Sequence, residues 1–544
     1  MTVPGLLKYR DLAPKDASPV LTFDLPELHY PARMNAVRTL FEDGNAAGWE
    51  NRTVLIQDDV RYSFAETEAL VHRHMAALRA LGVVAGDTVI LRIPDTIDLV
   101  VTLLAVQAIG AIAMPTYIQL RADDLVYRAE DTDAKFLMCT EPLLDEALSV
   151  SAARKDATEV IAIPADGQGR CRNFADYLPD GEIVAEYADT DAEELCLFLY
   201  TSGSTGLPKG TCHCHRDMLA VCDSYWRYCL APAPEDVFGG PPSIAFALGF
   251  GMFVYFPLRL GHAAVLEPDK SPEKALELIE KYRITIFAGV VSYYNVLTRL
   301  IQDNNFDISS LKHAMTGGEP LTDEAEKVWL ETTGLPLEQF IGTTESLHCF
   351  VTSTRPDDTP HTGVMGHAVP GYEVVVLNPE TFEPVADGEH GLFAMRGPTG
   401  SVYWNKPDQQ KKVIRNGWNV YQDVVWRDER GDFHYVARHD EMIITAGYNI
   451  SPVQVEDALL RHDGVVECAC VPAPDPTGKR GDIVKAYVVL LDNRTANDHL
   501  KTELQNFVKA TAAPYIYPRE IVFEEALPKT INGKILRSEL RQRN

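Results

Sequence analysis

No run of about 18 uninterrupted apolar residues occurs in this sequence, so no membrane-crossing helix is expected. The first residues, MTVPGLLKYRDLAPKD, lack the basic region and apolar core of a secretory signal, and a cytoplasmic protein is the expectation. Positive charge is also in short supply. Fifty Lys and Arg stand against 78 Asp and Glu, a formal net charge of −28. That excludes a general nucleic-acid or anionic-membrane surface. A polyanionic ligand would have to be met locally, by a few cations and backbone N–H groups. Cysteine is sparse, ten in 544 residues, with no framework spacing, which reads as reduced thiols. Repeats and low-complexity tracts are missing too.

The one dense Cys/His cluster, TCHCHRDM, holds Cys212, His213, Cys214 and His215. Zinc sites pair ligands through two to four intervening residues. Strand alternation would instead turn Cys212 and Cys214 to one face and the histidines to the other. A metal site is not expected there.

What is present is an ordinary globular composition, 46% apolar and 24% charged. The length suggests two to four domains, or one large body with an appendage. Residues 63–81 open with Ser63 and Glu66 in capping-box spacing, and Val71, Met75 and Leu78 recur at helical intervals. In GDTVILRI, Val89, Leu91 and Ile93 alternate as on a half-buried strand. DLVVTLLAVQAIGAIAMP is apolar all round, as a helix inside a large α/β body would be. Strand and helix patterns alternate to about residue 330, which predicts α/β layers with mostly parallel sheets. The last hundred residues read as a smaller α+β domain. There Ser451, Pro452 and Gln454 form a helix start. IVKAYVVLL is a strand, LKTELQNFVKATAA a helix, and REIVFEEALPKT a last strand. The boundary falls near residues 438–440, giving an N-terminal domain over 1–439 and a mobile C-terminal domain over 440–544.

The densest local signal is YTSGSTGLPKG, residues 200–210, directly behind the apolar run ELCLFLY. Glycines permit close backbone approach to an oxyanion, hydroxyls donate hydrogen bonds, and Lys209 supplies charge. Phosphate suits such a loop. It is not a Walker loop, since Lys209 follows Pro208 and precedes Gly210.

This segment resembles the phosphate loop of the adenylate-forming superfamily, which includes acyl- and aryl-CoA ligases, peptide-synthetase adenylation domains and luciferases. Further matches stand in the family's order. TGGEPL (316–321) is similar to the adenine-side segment, IGTTES (341–346) to the G-x-T-E motif, and GWNVYQD (417–423) to the stretch with the ribose aspartate. ARHDEMIITAGYNISPVQVE resembles the hinge, and PKTINGKILR (528–537) the segment with the catalytic lysine. LPELHYPARMN, HRDMLAVCDSYWRYCL and IGTTESLHCF look like benzoate- and 2-aminobenzoate-CoA ligases. Ile341 stands where many other branches have tyrosine.

The resemblance implies an ATP-dependent acid–CoA ligase acting on an aromatic or similarly bulky acid, with ATP/AMP, Mg²⁺ and coenzyme A. It assigns the β,γ-phosphates to Thr201, Ser202, Gly203, Ser204, Thr205, Gly206 and Lys209. Gly318, Glu319, Pro320, Ile341, Gly342 and Thr343 fall on the nucleotide, Thr344 on the α-phosphate and Glu345 on Mg²⁺. Asp423 stands at the ribose and Arg438 near the nucleotide, Asp440 at the hinge and Gly447 at the coenzyme A tunnel. Lys534 is the adenylation catalyst. Tyr225, Phe246, Gly249, Gly251, Gly318 and His348 are candidates for the acyl pocket. The residues alone leave plainer readings open: Glu345 as a helix cap, Lys534 as a surface lysine, His348 as a structural histidine, and SIAFALGFGMFVYFPL as core packing.

Three departures from the family stand out. Tyr421-Gln422-Asp423 replaces T-G-D, Ile444 replaces a lysine, and Val291 a proline. The first motivates an alternative, in which the chain only thioesterifies an acyl-adenylate made by a partner ligase or passes the acyl group to a carrier protein. An idle nucleotide-binding scaffold is a third reading. A homodimer is compatible with all three.

Overall fold

The computed structural model describes residues 7–163, 169–181, 183–201, 207–355, 362–445, 448–476, 482–491, 495–512, 516–529 and 535–543. Among these, three sheets build the body. The first has seven strands, in the order Arg172–Asn173, Glu159–Ala162, Phe136–Cys139, Thr88–Arg92, Ile112–Pro115, Leu195–Thr201, Lys209–Cys214. Every pair is parallel except the last, where the chain turns back on itself as a hairpin. The second has nine strands and is parallel from Thr53–Gln57 across to Leu337–Gly342, with antiparallel strands at both ends. A five-stranded antiparallel sheet holds Trp418–Arg427 against Phe433–Arg438. The fold is the expected α/β body with mostly parallel sheets and a smaller C-terminal part.

Local chemistry accounts for the elements. The helix Phe64–Leu81 is closed at its start by a full capping box, Ser63 N donating to Glu66 Oε2 at 2.7 Å and Glu66 N to Ser63 Oγ at 3.2 Å. Gly82, at φ +96°, ends it in the left-handed conformation. The helix Ile97–Ala108 is buried on nearly every side, as its composition predicts, but the apolar run does not stay helical. Ile112–Pro115 forms a central strand of the first sheet.

Two expectations are corrected. The strand Thr88–Arg92 is buried on both faces, not half-buried. Its outlying polar residue, Arg92, is only 1% exposed, because its guanidinium donates to the carbonyls of Leu143, Ile118 and Leu120 and pairs with Glu146. Ser451 precedes the helix Pro452–Leu460 without capping it; its hydroxyl donates to the Val436 carbonyl.

One large core runs from Met34 to Phe433 and draws on all three sheets. Beyond residue 440, the described apolar residues gather in separate clusters, Ile443 to Ile521 and Ala469 to Leu540. They cover a three-stranded sheet, Val465–Pro474, Asp482–Leu490 and Glu520–Glu524.

Cys212 and Cys214 point into a second core cluster. His213 shares a hydrogen bond with Thr211 Oγ1 at 3.0 Å, and His215 Nδ1 accepts from Ala36 N at 3.2 Å. The cluster is built into packing. No described helix is long and apolar enough to cross a membrane.

Candidate active site

The hairpin Leu195–Thr201/Lys209–Cys214 carries the glycine- and hydroxyl-rich loop at its turn. Tyr200 faces Gly210 and Thr201 faces Lys209 across the ladder. A Cβ on Gly210 would lie 3.0 Å from the Tyr200 ring, so glycine lets that ring lie across the ladder. The Tyr200 hydroxyl donates to Asp131 Oδ2 at 2.7 Å, and Lys406 Nζ and Trp404 Nε1 bond to the same residue at 2.9 and 2.7 Å. Tyr127 donates to the Pro208 carbonyl at 2.9 Å. The base of the loop is thus fixed from several directions. Thr201 Oγ1 is buried and has no hydrogen-bond partner among the described residues. Ser202, Gly203, Ser204, Thr205 and Gly206, like Gly447 and Lys534, lie outside the described residues.

The G-x-T-E segment forms the turn between strands Leu337–Gly342 and Cys349–Thr352. Thr343 and Ser346 lock it: Thr343 N donates to Ser346 Oγ at 3.1 Å, and Ser346 N to Thr343 Oγ1 at 3.2 Å. A Cβ on Gly342 would sit 2.2 Å from the His348 carbonyl oxygen, so only glycine fits this crossing. Leu347 is held at φ +64°, a strained conformation for a bulky residue, directly after the motif. Glu345 lies in the turn and caps no helix. Its Oε1 accepts from the Tyr403 hydroxyl at 2.6 Å. Lys209 Nζ lies 3.4 Å from the same hydroxyl and 4.5 Å from the ring centroid. Lysine, tyrosine and glutamate therefore form one chain between the two motifs.

The remaining nucleotide-side candidates lie on neighbouring elements. Gly318, at φ +81°, turns the backbone after strand His313–Thr316. The Glu319 carboxylate accepts from Ser292 N at 2.8 Å and Ser292 Oγ at 3.2 Å, which caps helix Val291–Asp303. Val291, in the proline position of the family, is the first residue of that helix, where the amide has no intrahelical partner in any case. Pro320 and Ile341 are half-buried. Asp423 and Arg438 face each other across an antiparallel ladder, and Arg438 Nε donates to Asp440 Oδ1 at 3.1 Å. Burial works against the Arg438 charge, but Asp423 and Asp440 outweigh it and raise its pKa. Gln422 is exposed, so its extra bulk points to solvent. Tyr421 stacks on Phe350 with centroids 5.2 Å apart.

Among the acyl-pocket candidates, Tyr225 and Gly251 lie in two stretches of wide π-helix, Cys222–Leu230 and Gly251–Tyr255. Such turns often mark functional sites. His348 sits among Tyr225, Trp226, Phe256 and Phe340, with ring centroids at 5.4, 6.0, 4.4 and 6.0 Å. Neither ring nitrogen has a partner among the described residues, and burial drives its pKa down to about 3. It is a neutral imidazole in an aromatic cage. The Tyr225 hydroxyl lies 3.3 Å from Thr354 Oγ1, which donates to Glu338 Oε2 at 2.7 Å. Gly251 leaves room for the Phe256 ring, 2.2 Å from where a Cβ would be; Gly249 does the same for the Ser243 carbonyl. Phe246 is half-buried beside Tyr117.

Sequence reasoning missed Tyr403, Thr354 and Glu338. Tyr403 is 194 positions from Lys209 and 58 from Glu345, and no local periodicity marks it.

The AMP-binding enzyme family matches residues 43–404, and the AMP-binding enzyme C-terminal domain matches 454–534. The chain is 33% identical over 530 residues to the uncharacterized acyl–CoA ligase YtcI of Bacillus subtilis, covering 95% of this chain and 97% of that one. It is 32% identical over 521 residues to benzoate–CoA ligase of Thauera aromatica, with the same coverage. The crystal structure of the anthranilate CoA ligase AuaEII in complex with anthranoyl-AMP superposes with a TM-score of 0.88 at 28% identity, covering 94% of this chain and 98% of that one. With one family spanning most of the chain and relatives matching nearly its full length, this protein belongs to the AMP-binding enzymes, as an ATP-dependent acyl-CoA ligase of the adenylate-forming superfamily.

Proposed function

We propose that this ligase activates an aromatic acid of the benzoate or 2-aminobenzoate type, first as an acyl-adenylate and then as a coenzyme A thioester. A carboxylate oxygen attacks the α-phosphorus of ATP and the bond to pyrophosphate breaks. The thiol then attacks the acyl carbon and AMP leaves. The protein's part is placement and charge stabilisation.

The observation that carries the adenylation reading is the chain Lys209–Tyr403–Glu345, which brings the cation of one motif and the carboxylate of another onto a single phenol. Lys209 suits the β,γ-phosphates, together with the Thr201 hydroxyl, which has no partner among the described residues. Glu345, with the hydroxyls of Thr343 and Thr344 beside it in sequence, offers the hard oxygen donors that suit Mg²⁺. When bound, Mg²⁺ neutralises triphosphate charge. Asp423 is assigned to the ribose, and Lys534 to the developing charge at the α-phosphate. The cage around His348 and Tyr225 supports a flat, aromatic acid, as do the relatives named for benzoate and anthranilate. The division at 439/440, with Asp440 as hinge and Gly447 at the coenzyme A tunnel, belongs to the same proposal.

The test is a panel of benzoates, aminobenzoates, cinnamates and aliphatic acids incubated with MgATP and no coenzyme A. Pyrophosphate release with benzoates, then thioester on adding coenzyme A, is expected. Release only with aliphatic acids refutes the aromatic assignment. The Tyr421-Gln422-Asp423 departure favours a second reading, thioesterification alone; activity solely on a premade acyl-adenylate would establish it.

A further inference from the structure

Lys209 and Glu345 have opposite charges and opposite tasks. Under the proposed function, on which this inference rests, the lysine must meet phosphate and the glutamate must meet a cation. Left to themselves at this range, an ammonium and a carboxylate form a direct ion pair, which every nucleotide would then have to break. The structure holds them apart with one phenol. The Tyr403 hydroxyl donates to Glu345 Oε1 at 2.6 Å and accepts from Lys209 Nζ at 3.4 Å, while the ammonium rests over the ring face. The phenol takes only Oε1 of the Glu345 carboxylate, so the second oxygen is not used by it.

The phenol is itself fixed. Tyr403 is 4% exposed. Its N–H donates to Gln410 Oε1 at 2.9 Å, and the flanking residues are stitched to the hairpin strand, Cys212 N to Val402 O and Trp404 N to Gly210 O, both at 2.9 Å. Burial and the Glu345 charge both raise the phenol's pKa, so it stays protonated and keeps donating. A tyrosine that merely filled space would need no hydroxyl between two charges.

We propose that Tyr403 is the positioning residue of the nucleotide site: it keeps Lys209 and Glu345 from pairing with each other and aims one at phosphate and the other at the metal.

Calorimetric titration of the full chain with ATP, with and without Mg²⁺, tests this. In Tyr403→Phe the MgATP dissociation constant is expected to rise about tenfold, the equivalent of about 1.4 kcal/mol. Metal-free ATP should weaken too, because it must also break the new Lys209–Glu345 pair, but by less, about threefold, since it does not in addition need Glu345 for a cation. Half-saturating Mg²⁺ should rise in parallel, while KM for the acid and thioester formation from a supplied adenylate stay within about twofold. Tyr403→Met, which also removes the ring platform under Lys209, should lose more, and it gives an independent reading if the phenylalanine variant folds poorly. Unchanged MgATP affinity in a folded Tyr403→Phe overturns the proposal while leaving the nucleotide site intact. Equal weakening of every ligand together with a lowered Tm makes Tyr403 a packing residue and also overturns it. Failure of the wild-type chain to bind MgATP would instead sink the nucleotide reading, and this proposal with it.

Discussion

Mild acid should unfold this protein through a small set of histidines. Burial holds His74, His213, His215 and His348 at pKa values of about 3, and His262 at about 4, against 6.5 for a free imidazole. The folded chain therefore keeps all five neutral where the unfolded chain protonates them. Their contribution to stability is complete above pH 6.5 and is lost as the pH falls, because protons then bind preferentially to the unfolded state. At pH 5.5 each ring takes up about 0.9 proton on unfolding, and going from pH 7.5 to 5.5 removes about 1.4 kcal/mol per histidine. Five such groups total about 7 kcal/mol, against the 5–15 kcal/mol by which domains are usually stable. Buried carboxyls with raised pKa values, Asp217 and Glu326 among them, bind protons first in the folded state and offset part of this. The net uptake should be smaller than the histidine sum but still several protons. Urea unfolding in weakly buffered solution, monitored by pH-stat at pH 5.5, measures it directly. His348→Leu isolates one group without breaking a hydrogen bond to any described residue. It should reduce the uptake by about 0.9 proton and flatten the acid limb. Equal uptake by wild type and variant would refute the reasoning, as would stability unchanged between pH 7.5 and 5.5.

The C-terminal region gives two further expectations. Lys534→Ala should cut pyrophosphate release by about 10²–10³, the value of a fixed cation at developing charge, while thioester formation from a supplied adenylate is largely kept; equal loss in both assays refutes that division of labour. Arg537, three residues on, donates from Nη2 to both oxygens of the buried Glu456 carboxylate at 2.9 and 2.7 Å, and Arg537→Ala removes that carboxylate's cation and leaves it the Cys470 N–H, a loss of about 3 kcal/mol. All six tryptophans precede residue 440, so the fluorescence-detected melt should hold while amide exchange in strand Val465–Pro474 accelerates; a strand that exchanges at the parent rate rules the role out.

Features coded within a few residues were legible in the sequence. Ser63 and Glu66 cap their helix as the spacing predicts, and the apolar run before the glycine-rich segment is a buried strand. The motifs carried the superfamily, because their order along the chain is specific. What depends on distant chain was not legible. Arg92 reads as the wet face of a strand until the carbonyls of Leu143, Ile118 and Leu120 are brought around it. Ser451 has every local mark of a cap, yet the Val436 carbonyl takes its hydroxyl. His348 reads as either ligand or filler, and its cage of four aromatic rings, with no partner for either nitrogen among the described residues, comes from distant chain.

The same limit applies with most force at the nucleotide site. The sequence names a lysine and a glutamate as the charged members of two motifs, but not whether they cancel. In the fold they are neighbours, close enough to share one phenol, and a site whose own charges neutralised each other would have little field left for MgATP. Its competence rests on a third residue with no motif signature of its own. The neighbours of Tyr403 supply the backbone bonds that place it, and Tyr403 the single hydroxyl that faces both charges. Under the proposed function, the motifs name the charged groups assigned to the nucleotide, and the uncharged group between them is what keeps those charges available to it.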